Sequence, residues 1–293
     1  MSRQLVFIHG RAQQQKDPAA LKRSWIEAWS KGLAKSGLSL PIDETAIHFP
    51  YYGDTLASLV DGRPAPDVIV RGDDAPPEER QFVAAVLEEA RAQRGITDDQ
   101  VLAVADAEVV ERGPQNWHWV RAIVKALDEH LSGASGAVLA AVTFDVYHYL
   151  RNPGVRDAIE VGVRAAIPDD AEAVVVGHSL GTVVGYNLLR REGASRGWKV
   201  PLYLTLGSPL AVTAIRKALQ PLTSPTCVDD WLNAIDPDDI VALYPLQPPQ
   251  FGLQPAIENK TDVDNHTTNQ HGIAGYLDDP VVASRIYEAL MAS

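Results

Sequence analysis

In VVVGHSLGTVVG, residues 174–185, Ser179 stands between Gly177 and Gly181 where a run of valines gives way to a helical pattern. A serine hydroxyl is a weak nucleophile unless a base lies within hydrogen-bond reach and donors hold the oxyanion that its attack creates. A G-x-S-x-G pentapeptide between a strand and a helix meets part of that demand. The serine sits on a sharp, strained turn, and the flanking glycines let strand and helix approach each other. The turn also aims the first helical amides at the reaction centre, where the helix start favours an anion, so the backbone N–H of Leu180 is expected to be one oxyanion donor. The competing possibility is that Ser179 merely caps the helix beginning at Leu180, which leaves Gly181 without a role. Gly185, inside that helix at a cost of about 1 kcal/mol relative to alanine, marks close packing on a sheet.

A nucleophilic serine on such a turn is followed along the chain by its acid and then by its histidine. His266 and His271 are the histidines that follow Ser179, both in NHTTNQHGIAGYL before the last helical segment. His271, next to Gly272 and the apolar GYL, is the preferred base, with His266 in a more polar run as the alternative. His9, His48, His118, His130, His148 and His178 fail on order and are expected at the surface or as hydrogen-bonded core residues. The acid is expected on the loop DPDDIVALYPL, which offers Asp236, Asp238 and Asp239. Its carboxylate would hold the histidine in one tautomer and stabilise the imidazolium. Asp239 is preferred; Asp236, at the strand end, stays open, since it could instead accept hydrogen bonds within a turn at Pro237.

These residues need elements to position them. QLVFIH (4–9) and AVVVG (173–177) are apolar runs of strand length, and AIHF (46–49), VPLYLTLG (200–207) and CVDDWLNAI (227–235) are also read as strands. Helical spacing appears at 18–35, 80–93, 116–131, 155–167, 180–192, 211–220 and 281–292. Strands alternating with helices predict an α/β fold, a mainly parallel sheet with helices on both faces and functional residues at the carboxyl ends of its strands. Residues 61–80, rich in proline, glycine-containing turns and acids, predict an irregular connection. A single domain over 1–293 is expected, with 61–135 as a helical cap or lid insertion within it. Trp117, Trp119, Val120, Ile123 and Leu127 there fit packing onto the core better than the lining of an acyl pocket. YYGD (51–54) is expected as a turn, either lining the cleft or at the surface.

Taken together, VFIHG, GHSLG, TLGSPL, N-x-x-D-x-x-D-I-V and H-G-x-x-G-Y-L resemble the α/β-hydrolase superfamily, nearest its lipase-like and esterase-like bacterial members. The similarity spans about 1–55 and 140–293 and leaves the insertion uncovered. The resemblance implies that the HG after the first strand supplies a second oxyanion donor, the backbone N–H of Arg11. It also favours Asp239, which opens a D-I-V string, and leaves Ser208 as a turn residue. The implied activity is acyl transfer with Ser179, Asp239 and His271 as catalytic residues, acting on a small-molecule acyl ester or lipid and requiring no cofactor. A thioesterase or amidase using the same residues is the alternative, as is a non-catalytic binding protein on this fold.

The 293 residues are 46% hydrophobic and 22% charged, a composition able to bury a large core. A formal charge of −12 without a Lys/Arg cluster argues against nucleic acid and anionic lipid headgroups as partners. No stretch reaches the roughly 18 apolar residues of a spanning helix, so integral membrane association is not expected. The single cysteine, Cys227, cannot close an intrachain disulfide. SRQLVFIHG (2–10) lacks the features of a secretory signal, so a cytoplasmic location is expected. DPDD and DVDNH lack calcium-loop spacing, and no Cys or His pair has zinc spacing, so no metal is expected.

Overall fold

A computed structural model describes residues 3–11, 16–59, 75–106, 113, 116–131, 133 and 135–292. Strands β1 (Gln4–Ile8), β2 (Ile47–His48), β3 (Ala173–His178), β4 (Val200–Leu206), β5 (Val228–Ala234) and β6 (Glu258–Lys260) form a six-stranded sheet in the order β2-β1-β3-β4-β5-β6. Every neighbouring pair is parallel. The two-residue period of a strand sorts its side chains into two cores. Leu5, Phe7, Val174, Val176, Leu202 and Leu204 pack with Trp25, Trp29 and Leu33 of helix Pro18–Lys35 and with Ile286 of helix Pro280–Met291. Val6, Ile8, Val175 and Tyr203 face the opposite layer, built from helices Pro77–Gln93, Trp117–His130, Gly136–Arg151, Pro153–Ala166 and Leu180–Arg196. Leu5 through Ile8 are 0% exposed, and burying each such side chain is worth about 1.5–3 kcal/mol, which anchors β1 between β2 and β3.

Of the expected insertion, residues 61–74, 107–112, 114–115, 132 and 134 lie outside the described residues. The remainder contributes helices Pro77–Gln93, Asp98–Ala103 and Trp117–His130. The first begins at Pro77 rather than at 80, inside the expected irregular connection. Pro77 suits the first helical position, and Glu78 and Glu79 favour the positive helix start. Trp117, Trp119, Val120, Ile123 and Leu127 are buried within the layer over the sheet, as packing residues. YYGD does not remain a turn: helix Gly53–Leu59 starts within it. Among the described residues, no helix is long and apolar enough to cross a membrane.

In the order β2-β1-β3 successive strands are added on opposite sides of β1, so the order reverses between β1 and β3, and the carboxyl ends of such a pair are where parallel sheets place ligands. Ser179 follows β3, and Gly10 and Arg11 follow β1. Helix Leu180–Arg196 crosses β1 at very short range. A methyl group on Gly181 would overlap the Ile8 carbonyl oxygen and come within 2.7 Å of the His9 carbonyl oxygen. On Gly185 it would lie 2.7 Å from the Tyr203 hydroxyl. Neither neighbour at Gly181 is a flexible side chain. Gly181→Ala is expected to cost about 3 kcal/mol through forced backbone displacement; urea denaturation checks this, and an unchanged midpoint would contradict the close crossing.

Candidate active site

Ser179 adopts φ +54° and ψ −125°, a left-handed-side conformation that costs a non-glycine residue about 1–3 kcal/mol. Neighbouring hydrogen bonds hold it there. The Ser179 N–H donates to Leu206 O at 3.1 Å, and its carbonyl accepts from Thr182 N at 2.9 Å and Thr182 Oγ1 at 2.7 Å. The side chain makes no capping hydrogen bond to the helix that follows. Instead Ser179 Oγ lies 3.0 Å from His271 Nε2. The capping alternative is therefore not what the hydroxyl does.

His271 Nδ1–H donates to Asp239 Oδ2 at 2.7 Å, leaving Nε2 to accept the Ser179 proton. Three loops, after β3, after β5 and before helix Ile273–Leu277, meet at this imidazole. The histidine loop is shaped by its own polar side chains: Gly272 N donates to Thr267 Oγ1 at 2.9 Å and Asn265 Nδ2 donates to Gly272 O at 2.9 Å. Gln270, the residue before the imidazole, carries φ +49°, a second non-glycine residue in the left-handed region. His266, the alternative base, has a side chain 59% exposed and faces Asp278 Oδ2 at 3.7 Å. It does not enter the cluster.

The three aspartates of DPDD separate by their partners. Asp239 is 0% exposed, and its Oδ1 accepts from Val241 N at 2.8 Å while Oδ2 takes His271 and the Tyr276 hydroxyl, the latter at 2.6 Å. Burial pushes its carboxyl up, but the charge and hydrogen bonds of His271, together with the Tyr276 and Val241 donors, outweigh that and leave it below its ordinary value. Asp236 Oδ1 accepts from Asp238 N at 2.6 Å and Oδ2 from Asn265 N at 2.6 Å, so this carboxylate clips the acid loop to the histidine loop. Asp238 is exposed.

The two residues expected to supply oxyanion donors adjoin the serine along the chain or through their neighbour. Leu180 is the first residue of its helix, where backbone N–H groups have no intrahelical acceptor. Arg11 follows Gly10, on which a Cβ would fall 2.8 Å from Ser179 Cβ and 3.3 Å from Ser179 Oγ, so the chain after β1 passes directly against the serine. No family model matches the chain, and no curated protein matches it either.

Several residues of the site carry no sequence signal of their role. Tyr276 is fully buried, and its hydroxyl, besides donating to Asp239, accepts from Asp236 N at 3.2 Å. Arg94, at the end of helix Pro77–Gln93, donates to Pro237 O at 2.6 Å and Asp239 O at 3.1 Å, fixing the acid loop from the layer above. His178 Nε2–H donates to His271 O at 2.8 Å, and burial, followed by the nearby His271 charge, lowers its pKa to about 3. His9 accepts from Tyr52 N at 3.1 Å through Nε2 and donates to Gly10 O at 2.7 Å through Nδ1; burial first of all lowers it to about 4. Both rings stay neutral, so neither competes with His271 for a proton. Gly207, with φ +57°, closes the cluster: a Cβ would sit 3.0 Å from Asp239 Oδ2 and 3.1 Å from His271 Nδ1. Ser208 is a turn residue, bonded to Thr182 Oγ1 at 2.8 Å and accepting from Leu210 N at 3.3 Å.

Removing the Tyr276 hydroxyl takes one donor from an ionised, buried carboxylate. Tyr276→Phe is expected to move the Asp239 titration to higher pH and to cost about 1.5–3 kcal/mol of stability. Carboxyl ¹³C NMR across an acid titration measures the first effect; an Asp239 signal titrating as in wild type would show that the tyrosine does not tune the carboxylate.

Proposed function

We propose that the chain is a serine hydrolase of the α/β-hydrolase type that cleaves a carboxylic ester through an acyl-enzyme intermediate. The observation that carries this is the continuous relay from Ser179 Oγ through His271, 3.0 Å at Nε2 and 2.7 Å at Nδ1, to the buried Asp239 carboxylate. Hydrogen-bonded nucleophile, base and orienting acid are the arrangement that activates a hydroxyl for acyl transfer. Ser179 Oγ attacks the ester carbonyl as its proton passes to His271 Nε2. Asp239 holds the tautomer that leaves Nε2 free and stabilises the imidazolium. The backbone N–H groups of Arg11 and Leu180 donate to the oxyanion, in the low-dielectric setting where such donors are worth most. Collapse of the tetrahedral adduct breaks the carbonyl–oxygen bond of the ester, and His271 returns the proton to the departing alcohol. Water, deprotonated by the same nitrogen, then releases the acid and restores Ser179.

Two side-chain contrasts support the assignment of roles. His271 is in the relay whereas His266 is in solvent, and Asp239 faces the imidazole whereas both Asp236 oxygens are occupied by backbone N–H groups. A fluorophosphonate probe is expected to label the wild type and not Ser179→Ala. His271→Ala and Asp239→Asn are expected to lower kcat on a short p-nitrophenyl ester by about four powers of ten with the fold intact. Asp236→Asn is expected to cost stability and far less turnover. Absence of labelling in the wild type sinks the hydrolase in favour of a binding protein, and a severe loss in Asp236→Asn with a mild one in Asp239→Asn reverses the acid assignment.

A further inference from the structure

Asp145, in the middle of helix Gly136–Arg151, is 2% exposed. Its Oδ2 accepts from Arg11 Nε at 2.6 Å, in an ion pair whose side chains are 12% and 3% exposed. Its Oδ1 is buried and has no hydrogen-bond partner, and among the described residues it is the one buried carboxylate oxygen in that condition. The other deeply buried carboxylates contrast with it. Asp236 and Asp239 have both oxygens engaged, and Glu160 gives Oε1 to Tyr149 and Arg191 and Oε2 to Arg164. A charged acceptor buried without a donor is among the more costly features a fold can keep.

The position of Asp145 gives that cost a use. Gly10 is the residue that passes against Ser179, and Arg11, the next in the chain, ties that loop to the Asp145 carboxylate through its side chain. Tyr52, whose hydroxyl donates to the His9 carbonyl just before Gly10 and Arg11, also lies within reach of the Asp145 charge. Burial does not separate Asp145 from a substrate, because Ser179 is equally covered at 2% exposure.

We propose that Asp145 is a specificity-determining residue, its Oδ1 accepting a hydrogen bond from a hydroxyl or amide N–H carried on the acyl group beside the scissile carbonyl. This rests on the serine-hydrolase proposal and narrows its substrates to polar, donor-bearing acyl esters rather than plain alkyl chains. A neutral donor fits because the Arg11 guanidinium already balances the Asp145 charge; a cation would leave the buried pair with a surplus. Burial pushes the Asp145 carboxyl up and the Arg11 charge only partly restores it, and a donor at Oδ1 relieves that under-solvation.

The test is a set of p-nitrophenyl esters of one chain length, bearing no hydroxyl or a hydroxyl on the second, third or fourth acyl carbon. Wild type is expected to prefer one of the hydroxylated esters in kcat/KM by about ten- to a hundredfold, the worth of a hydrogen bond to a charged group. Asp145→Asn keeps the side chain's size, but its carbonyl oxygen must face Arg11, which puts an NH₂ donor where Oδ1 was. The hydroxyl preference is therefore expected to vanish in that variant. A wild type that favours none of the hydroxylated esters overturns the proposal without any variant, and so does an Asp145→Asn protein that retains the preference. Fluorophosphonate labelling of the same wild-type sample separates the two levels: labelled protein without hydroxyl preference defeats the assignment of Asp145 alone, whereas unlabelled protein defeats the hydrolase proposal beneath it.

Discussion

The imidazole of His271 is held by one hydrogen bond on each ring nitrogen, and the loops that supply its partners come from strand ends far apart in the chain. Ser179 and His271 are separated by 92 positions and Asp239 and His271 by 32, so no local preference of the backbone brings them together. The parallel sheet does. It delivers the carboxyl ends of β3, β4 and β5 side by side, and the remaining distance is closed by residues that tolerate unusual backbone geometry: Ser179 at φ +54°, Gly207 at φ +57° and Gln270 at φ +49°. Strain of that order, about 1–3 kcal/mol for each non-glycine position, survives only where the surroundings over-determine it. Leu206 O and Thr182 do so for Ser179, and the Thr267, Asn265 and His178 contacts do so for the histidine loop.

Burial sets the second constraint. Asp239 is 0% exposed, so its charge has no water and must be met by protein donors, which are the imidazole, a phenol and a backbone amide. The same desolvation keeps His9 and His178 neutral beside Ser179 and His271, with pKa values lowered to about 4 and about 3. Their hydrogen bonds run to backbone atoms, so they brace the loops after β1 and before helix Ile273–Leu277 without adding positive charge to the cluster. Asp145 departs from this economy, since one oxygen of its buried carboxylate lacks a donor, whereas Asp236, Asp239 and Glu160 have both oxygens met.

Strands β1, β3 and β4 are legible because parallel strands covered on both faces are written as nearly continuous apolar runs, and β5, which opens on two exposed aspartates, is legible from its place in the alternation with helices. The edge strand β6 was not: it is the polar triplet ENK, too short for any period to register. Helix Gly136–Arg151 was also missed, for the opposite reason. Buried on nearly every side, GAVLAAVTFDVYHYLR has no polar face and therefore no helical rhythm of hydrophobicity. In the site, Ser179 was marked by its flanking glycines and His271 by chain order, while Asp239 and Asp236 could not be told apart by spacing because both stand on the same short loop. Which carboxylate faces the imidazole depends on Asn265 and Tyr276, partners supplied from beyond residue 260. Tyr276 and Arg94 act through contacts 37 and 145 positions away, for which a single sequence holds no pattern.

The proposed hydrolase requires the Ser179 hydroxyl, hydrogen-bonded to His271, to form a covalent bond to the acyl carbon. Rapid-quench mass spectrometry of the protein mixed with an excess of an activated p-nitrophenyl ester measures this most directly. A burst of p-nitrophenol is expected, matched by an acyl adduct on the proteolytic peptide containing Ser179, and in His271→Ala the adduct is expected to accumulate further when the ester is reactive enough to acylate Ser179 without a base. Product release with no adduct on any peptide, or an adduct carried by Ser208 in place of Ser179, would contradict it.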